Sequence, residues 1–84
     1  MGRDDKLLSR ILGGLADANI GFEELRDLLK GLGFEERVRG SHHIYRRKGV
    51  ADLINLQRDG SKAKSYQVRQ VRTAIVKYQL AKEE

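Results

Sequence analysis

Two adjacent histidines, His42 and His43, lie within the segment Gly40-Ser41-His42-His43-Ile44-Tyr45-Arg46-Arg47, which closes on two arginines. Imidazole is the side chain whose ordinary pKa lets it take or give a proton near neutral pH. Arginine presents a planar fork of donors matched to phosphate oxygens. A proton-transfer group beside a phosphate clamp is what cleavage of an RNA backbone requires. Successive residues of a strand point to opposite faces. His42 therefore shares a face with Ile44, and His43 shares the other with Tyr45. One site receives one imidazole, and the second histidine is structural or solvent-facing. From a regular strand the pair cannot grip one metal ion. The chain has no cysteine and no third ligand at a recognisable spacing, so no metal site is expected.

Cations surround this segment on the sequence. Arg37 and Arg39 precede it, Lys48 follows it, and Lys62 and Lys64 stand ahead of a last helical stretch. The N-terminal amides and positive dipole end of such a helix also favour a phosphate. Within that helix Arg69 and Arg72 are three residues apart and share a face. Ser41, Arg39, Arg46, Arg47, Lys62, Lys64, Arg69 and Arg72 are thus the candidate RNA-binding residues around a catalytic imidazole. The charge is polarised: residues 1–36 carry a net −3, residues 37–82 a net +10, and the whole chain +5. A solvated surface is the plain reading of such a run, and a face for a polyanion is the sharper one.

The elements that must position these groups follow from periodicity. Leu7, Leu8, Ile11, Leu12 and Leu15 recur at helical spacing, with Asp4 or Asp5 as cap and Gly13-Gly14 as stop. Asp17 to Gly21 reads as a loop. Phe22, Leu25, Leu28, Leu29 and Leu32 mark a second amphipathic helix, with Glu23 and Glu24 in its first turn and Gly33, or Gly31 with fraying, as its stop. Three short strands follow: Phe34–Arg39, His42–Lys48 across a Gly40-Ser41 turn, and Ala51–Gln57 after Gly49. Asp59-Gly60-Ser61 is a turn leading into a basic loop. Ser65 can cap a final helix whose buried stripe is Val68, Val71, Ala74, Ile75 and Tyr78. Strands joined by short turns pair antiparallel, and the helices cover one face. Tyr66 could stack on a base, but the other aromatic residues fall at packing positions, which does not describe a stacking platform.

Composition narrows the function. Eighty-four residues form one domain over 1–84, with no room for a cofactor-binding domain beside a substrate domain. No small-molecule cofactor is expected. No apolar run approaches the ~18 residues of a membrane span. No helix pairs a basic face with a broad aromatic one, so membrane binding is not expected either. The chain reads as soluble and cytoplasmic.

Phe22-Glu23-Glu24-Leu25 through Leu32-Gly33-Phe34, followed by Gly40-Ser41-His42-His43-Ile44-Tyr45-Arg46, a short strand and a helix, resembles the HicA toxins of bacterial toxin–antitoxin pairs. The resemblance runs from about Phe22 to Leu80, and the core is taken as 22–80 with 1–21 as an N-terminal helical extension. It implies an α+β fold like the double-stranded-RNA-binding domain, with a three-stranded antiparallel sheet packed on two helices. It also implies ribonuclease activity on mRNA and a HicB-like antitoxin as protein partner. The family's catalytic histidine maps to His42, with His43 matching members whose histidine stands one place later. Two departures stand out. Where many members carry Pro-Val-His this chain has Asn55-Leu56-Gln57, and the helix within residues 1–21 lies outside the family pattern.

The chemistry needs no family. A neutral His42 could act as general base on a ribose 2′-hydroxyl, while Arg39, Arg46 or a lysine of the 62–64 loop stabilises charge on the phosphoryl oxygens. The route is metal-independent, leaves a 2′,3′-cyclic phosphate and spares DNA, which lacks the 2′-hydroxyl. The competing readings are a non-catalytic double-stranded-RNA-binding module and an interaction protein that docks an acidic partner.

Overall fold

The computed structural model describes residues 3–82. The chain runs α1 (Arg3–Gly13), a 3-10 turn (Asp17–Asn19), α2 (Phe22–Gly31), β1 (Glu35–Arg39), β2 (His42–Arg47), β3 (Val50–Leu56), β4 (Arg58–Asp59), β5 (Lys62–Ala63), α3 (Ser65–Lys77) and a second 3-10 turn (Leu80–Lys82). It is an α+β arrangement in which β1, β2 and β3 form one antiparallel sheet in sequence order.

Each helix answers to local chemistry. The described part of α1 begins at Arg3, so Asp4 and Asp5 lie within the helix rather than ahead of it. α2 starts after Gly21, whose backbone N–H donates to the Glu24 carboxylate at 3.2 Å. It ends where Gly33 adopts φ +95°, a left-handed conformation that side chains resist, and the Phe34 amide then reaches back to the Leu29 carbonyl at 3.0 Å. α3 begins at Ser65 itself, with Lys64 in the capping position and no side chain closing the helix start.

The core is built from the predicted stripes. Phe22, Leu25, Leu28 and Leu29 of α2, Val68, Val71, Ala74 and Ile75 of α3, and Leu7 and Ile11 of α1 close over Tyr45, Ile54 and Leu56 of the sheet. Two expectations fail at the ends of stripes. Leu12, near the end of α1, is partly exposed, and Leu15 is 97% exposed because it lies beyond the helix, which ends at Gly13. Tyr78 stands at the end of α3, half-buried, where its hydroxyl accepts from the Ala51 amide and meets the Asp52 carboxylate. The chain over 58–63 is a small hairpin rather than a loop. Its backbone bonds to a segment forty residues away, with Phe22 N–H donating to Ser61 O and Ala63 N–H to Ile20 O, both at 2.9 Å. Such remote pairing leaves no local signature.

Packing puts the helices on one side of the sheet. β2 alternates, so Tyr45 and the half-buried His43 face the helices while His42, Ile44 and Arg46 face outward. β3 holds two more residues than β2 between the pairs Arg47↔Val50 and Tyr45↔Ile54. This bulge is even in length, so it keeps Ile54 and Leu56 inward and Asn55 outward; a one-residue bulge would reverse them. Among the described residues no helix is long and apolar enough to cross a membrane.

Candidate active site and nucleic-acid interface

The turn Gly40-Ser41 closes β1 on β2, with Arg39 directly opposite His42. Gly40 sits at φ +58°, which a residue with a Cβ adopts only under strain. Cross-strand partners carry their Cβ atoms ~4.5–5.5 Å apart on a shared face. The outward imidazole of His42 and the exposed guanidinium of Arg39 therefore stand side by side. Arg39 makes no ion pair among the described residues. Two residues back along β1, Arg37 occupies the same face, opposite Ile44. Across the sheet, His42 Nδ1 lies 3.3 Å from Asn55 Oδ1.

His43 lies in a different environment. Its ring meets the Phe22 ring edge-on at a centroid distance of 4.9 Å, and its Nδ1 is 3.4 Å from Glu36 Oε2. Glu36 is the centre of a half-buried network. Arg26 donates Nε at 2.7 Å and Nη2 at 2.9 Å to its two oxygens, Lys30 adds an ion pair at 3.3 Å, and the buried Tyr45 hydroxyl donates to it as well. Arg26 holds the Glu36 carboxyl far below the usual carboxylate range, against the opposing effect of burial. Burial, and then Glu36 itself, push the Tyr45 hydroxyl upward. His43 is thus woven into the support beneath the sheet, whereas His42 stands on its open face. Among the described residues no three His, Cys, Asp or Glu side chains gather as metal ligands.

The direction of the strands sorts the cations. β1 ends, β2 begins and β3 ends at the histidine end of the sheet, where α3 also begins. Arg39, Ser41, Lys62 and Lys64 belong there, Lys62 bridging to Gly21 beside Phe22. Arg58, absent from the sequence-based candidates, joins them: its guanidinium carbon sits 4.5 Å from the Phe22 ring centroid and pairs with Glu23. Arg46, Arg47 and Lys48 are at the opposite end. Arg46 is four strand residues from His42, about 13 Å at ~3.3 Å per residue. Arg47 packs against Gly33, and Arg46, Arg47 and Lys48 help to line a wide groove of about 850 Å³ with Glu35 and Leu53. Arg69 and Arg72 separate as well. Arg69 is exposed, but Arg72 donates to Asp17 at 2.9 and 3.2 Å and to the Ile11 carbonyl at 3.1 Å, clamping α1 and the first 3-10 turn to α3. Tyr66 is exposed near the start of α3.

Comparisons with protein-family models, with curated proteins and with solved structures found no match for this chain.

Three residues that shape the site were not singled out from sequence. Asn55 is an outward strand position by alternation, but its neighbour is set by the bulge. Arg58 follows the strand directly and gives no periodic signal. Glu36 stands inward in a strand of mostly charged residues, EERVR, whose alternation does not say which face is covered.

Proposed function

We propose that this chain is a HicA-like toxin: a metal-independent endoribonuclease that acts on cytoplasmic mRNA and is neutralised by a HicB-like antitoxin. The observation that carries the reading is the cross-strand pair His42–Arg39 on the uncovered face of the sheet. Further support comes from the helix, three antiparallel strands and helix over 22–77, the order that likeness to a double-stranded-RNA-binding domain calls for. His42 Nε2 takes the proton of a ribose 2′-hydroxyl, the 2′-oxygen attacks the adjacent phosphorus, and the bond to the 5′-oxygen breaks. That oxygen recovers a proton through solvent, leaving a 2′,3′-cyclic phosphate and a 5′-hydroxyl. Arg39 stabilises the charge that builds on the phosphoryl oxygens. Lys62 and Lys64, around the same end of the sheet, hold the flanking backbone.

The test is cleavage of a single-stranded RNA by purified wild type, His42→Ala, His43→Ala and Arg39→Gln. His42→Ala should lose ~10²–10⁴-fold in rate, the usual weight of a general base. Arg39→Gln should lose ~10²-fold, the low end for one charge-stabilising donor because the site is exposed. EDTA should leave the rate unchanged, and a 2′-deoxy substrate should survive intact. Full cleavage by His42→Ala, or loss of cleavage in EDTA, refutes the mechanism. Duplex RNA binding without cleavage, retained in both histidine variants, would instead establish the non-catalytic module.

A further inference from the structure

We infer that Asn55 is a positioning residue for His42: its side-chain oxygen accepts the Nδ1 proton and so leaves Nε2 as the proton acceptor. The inference rests on the ribonuclease reading and goes beyond it, because it assigns a tautomer and the group that holds it. In a neutral histidine the state of one ring nitrogen is set by the hydrogen bond that the other nitrogen makes. For an exposed imidazole this choice is otherwise left to solvent. Asn55 Oδ1 lies 3.3 Å from Nδ1, and a carbonyl oxygen can only accept, so the contact requires a proton on Nδ1.

The placement follows from the sheet. Asn55 pairs with Ile44, so it is the diagonal neighbour of His42 on the open face. Diagonal positions are ~7–8 Å apart, a gap that an asparagine and a histidine leaning together can close. The two-residue bulge earlier in β3 determines that Asn55 rather than Leu53 takes this position. The second imidazole supplies a built-in comparison. His43 Nδ1 faces the Glu36 carboxylate from the covered side, out of reach of Asn55. On this reading Asn55 orients the catalytic ring and touches no reacting atom.

The experiment uses the full chain labelled with ¹⁵N in histidine, with the His42 and His43 signals assigned by His42→Ala and His43→Ala. Ring nitrogen shifts are read above the titration range for wild type, Asn55→Leu and Asn55→Asp, and kcat and KM for a single-stranded RNA are measured on the same samples. In wild type the Nδ1–H tautomer of His42 should predominate. Asn55→Leu, of similar volume but without an acceptor, should shift the tautomer ratio toward Nε2–H by about two- to tenfold, the weight of one ordinary hydrogen bond. It should lower kcat by a similar factor with KM within about twofold, and leave the His43 signals in place. Asn55→Asp keeps the acceptor and should restore the wild-type tautomer. A predominantly Nε2–H His42 in wild type overturns the assignment, as does an Asn55→Leu protein with unchanged tautomer and kcat. If those hold while His42→Ala still abolishes cleavage, only the positioning role falls. If wild type cleaves no RNA at all, the ribonuclease reading falls, and the positioning role falls with it whatever the tautomer.

Discussion

Replacing Glu36 with glutamine should weaken the fold through charge alone, since the side chain keeps its shape. Glu36 is only 11% exposed and receives Arg26 through two hydrogen bonds, Lys30, the Tyr45 hydroxyl and the edge of His43. Removing one partner of a fully buried pair costs ~3–5 kcal/mol. Here Arg26 retains 21% and Lys30 47% exposure, so water repays part of the loss and we expect about 2–3 kcal/mol. At ~4–8 °C per kcal/mol for a domain of this size, Tm should fall by about 8–24 °C. A chain of this length holds ~4–13 kcal/mol in all, so Glu36→Gln should still fold while approaching its limit. The pH dependence supplies an independent check. The carboxyl is held low in the native state, so below its ordinary pKa of ~4.3 the unfolded chain binds a proton that the native one does not. Its stabilisation is therefore complete above that value and drains away as pH falls toward the native pKa. Tyr45 acts in the opposite sense. Its hydroxyl is pushed upward, so its contribution is complete below ~10 and drains away as pH rises above that value toward the native pKa. Urea unfolding followed by circular dichroism at several pH values measures both. A loss below about 1 kcal/mol in Glu36→Gln, or parallel acid slopes for wild type and variant, would refute the reasoning.

Three further outcomes can be measured. His43→Ala should cost about 1–2 kcal/mol in urea unfolding, for the lost edge contact with Phe22 and the Glu36 contact, while cleavage of RNA persists. Arg72→Met strands Asp17, whose side chain is 15% exposed, and should cost about 2–3 kcal/mol; adding Asp17→Asn should recover part of it, giving a coupling in a double-mutant cycle. Binding of a short non-cleavable single-stranded RNA by His42→Ala should weaken with salt at about 0.7 in log–log slope per phosphate neutralised, about 3 in all if Arg37, Arg39, Lys62 and Lys64 each hold one. Removing Arg39 should lower that slope by ~0.7, whereas Arg46→Gln, at the far end of the strand, should leave it alone.

Local chemistry was legible along the chain. Helical stripes in 7–11, 22–29 and 68–75, the stop at Gly33 and the turn at Gly40-Ser41 all appear where periodicity and turn residues put them. Strand alternation alone separated His42 from His43, because the pleat is a property of the backbone and not of the fold. Alternation does not say which face is covered. Both sets in β2 mix polar and apolar residues, and only the packing of α2 and α3 over Tyr45 turned His43 inward and left His42 on the open side. Closeness in sequence also misled for the arginines, since an extended strand carries Arg46 and Arg47 away from His42 at ~3.3 Å per residue. Arg72 looked like part of a basic helix face until the fold brought it to Asp17, 55 residues earlier. Asn55 reached His42 only because a bulge in β3 set the register. The sequence by itself determined the elements, their order and the separation of the two imidazoles, all local consequences of backbone geometry. The tertiary structure decided which imidazole meets solvent and which cations stand beside it. Those outcomes depend on contacts between residues distant along the chain, and such contacts carry no periodicity to read.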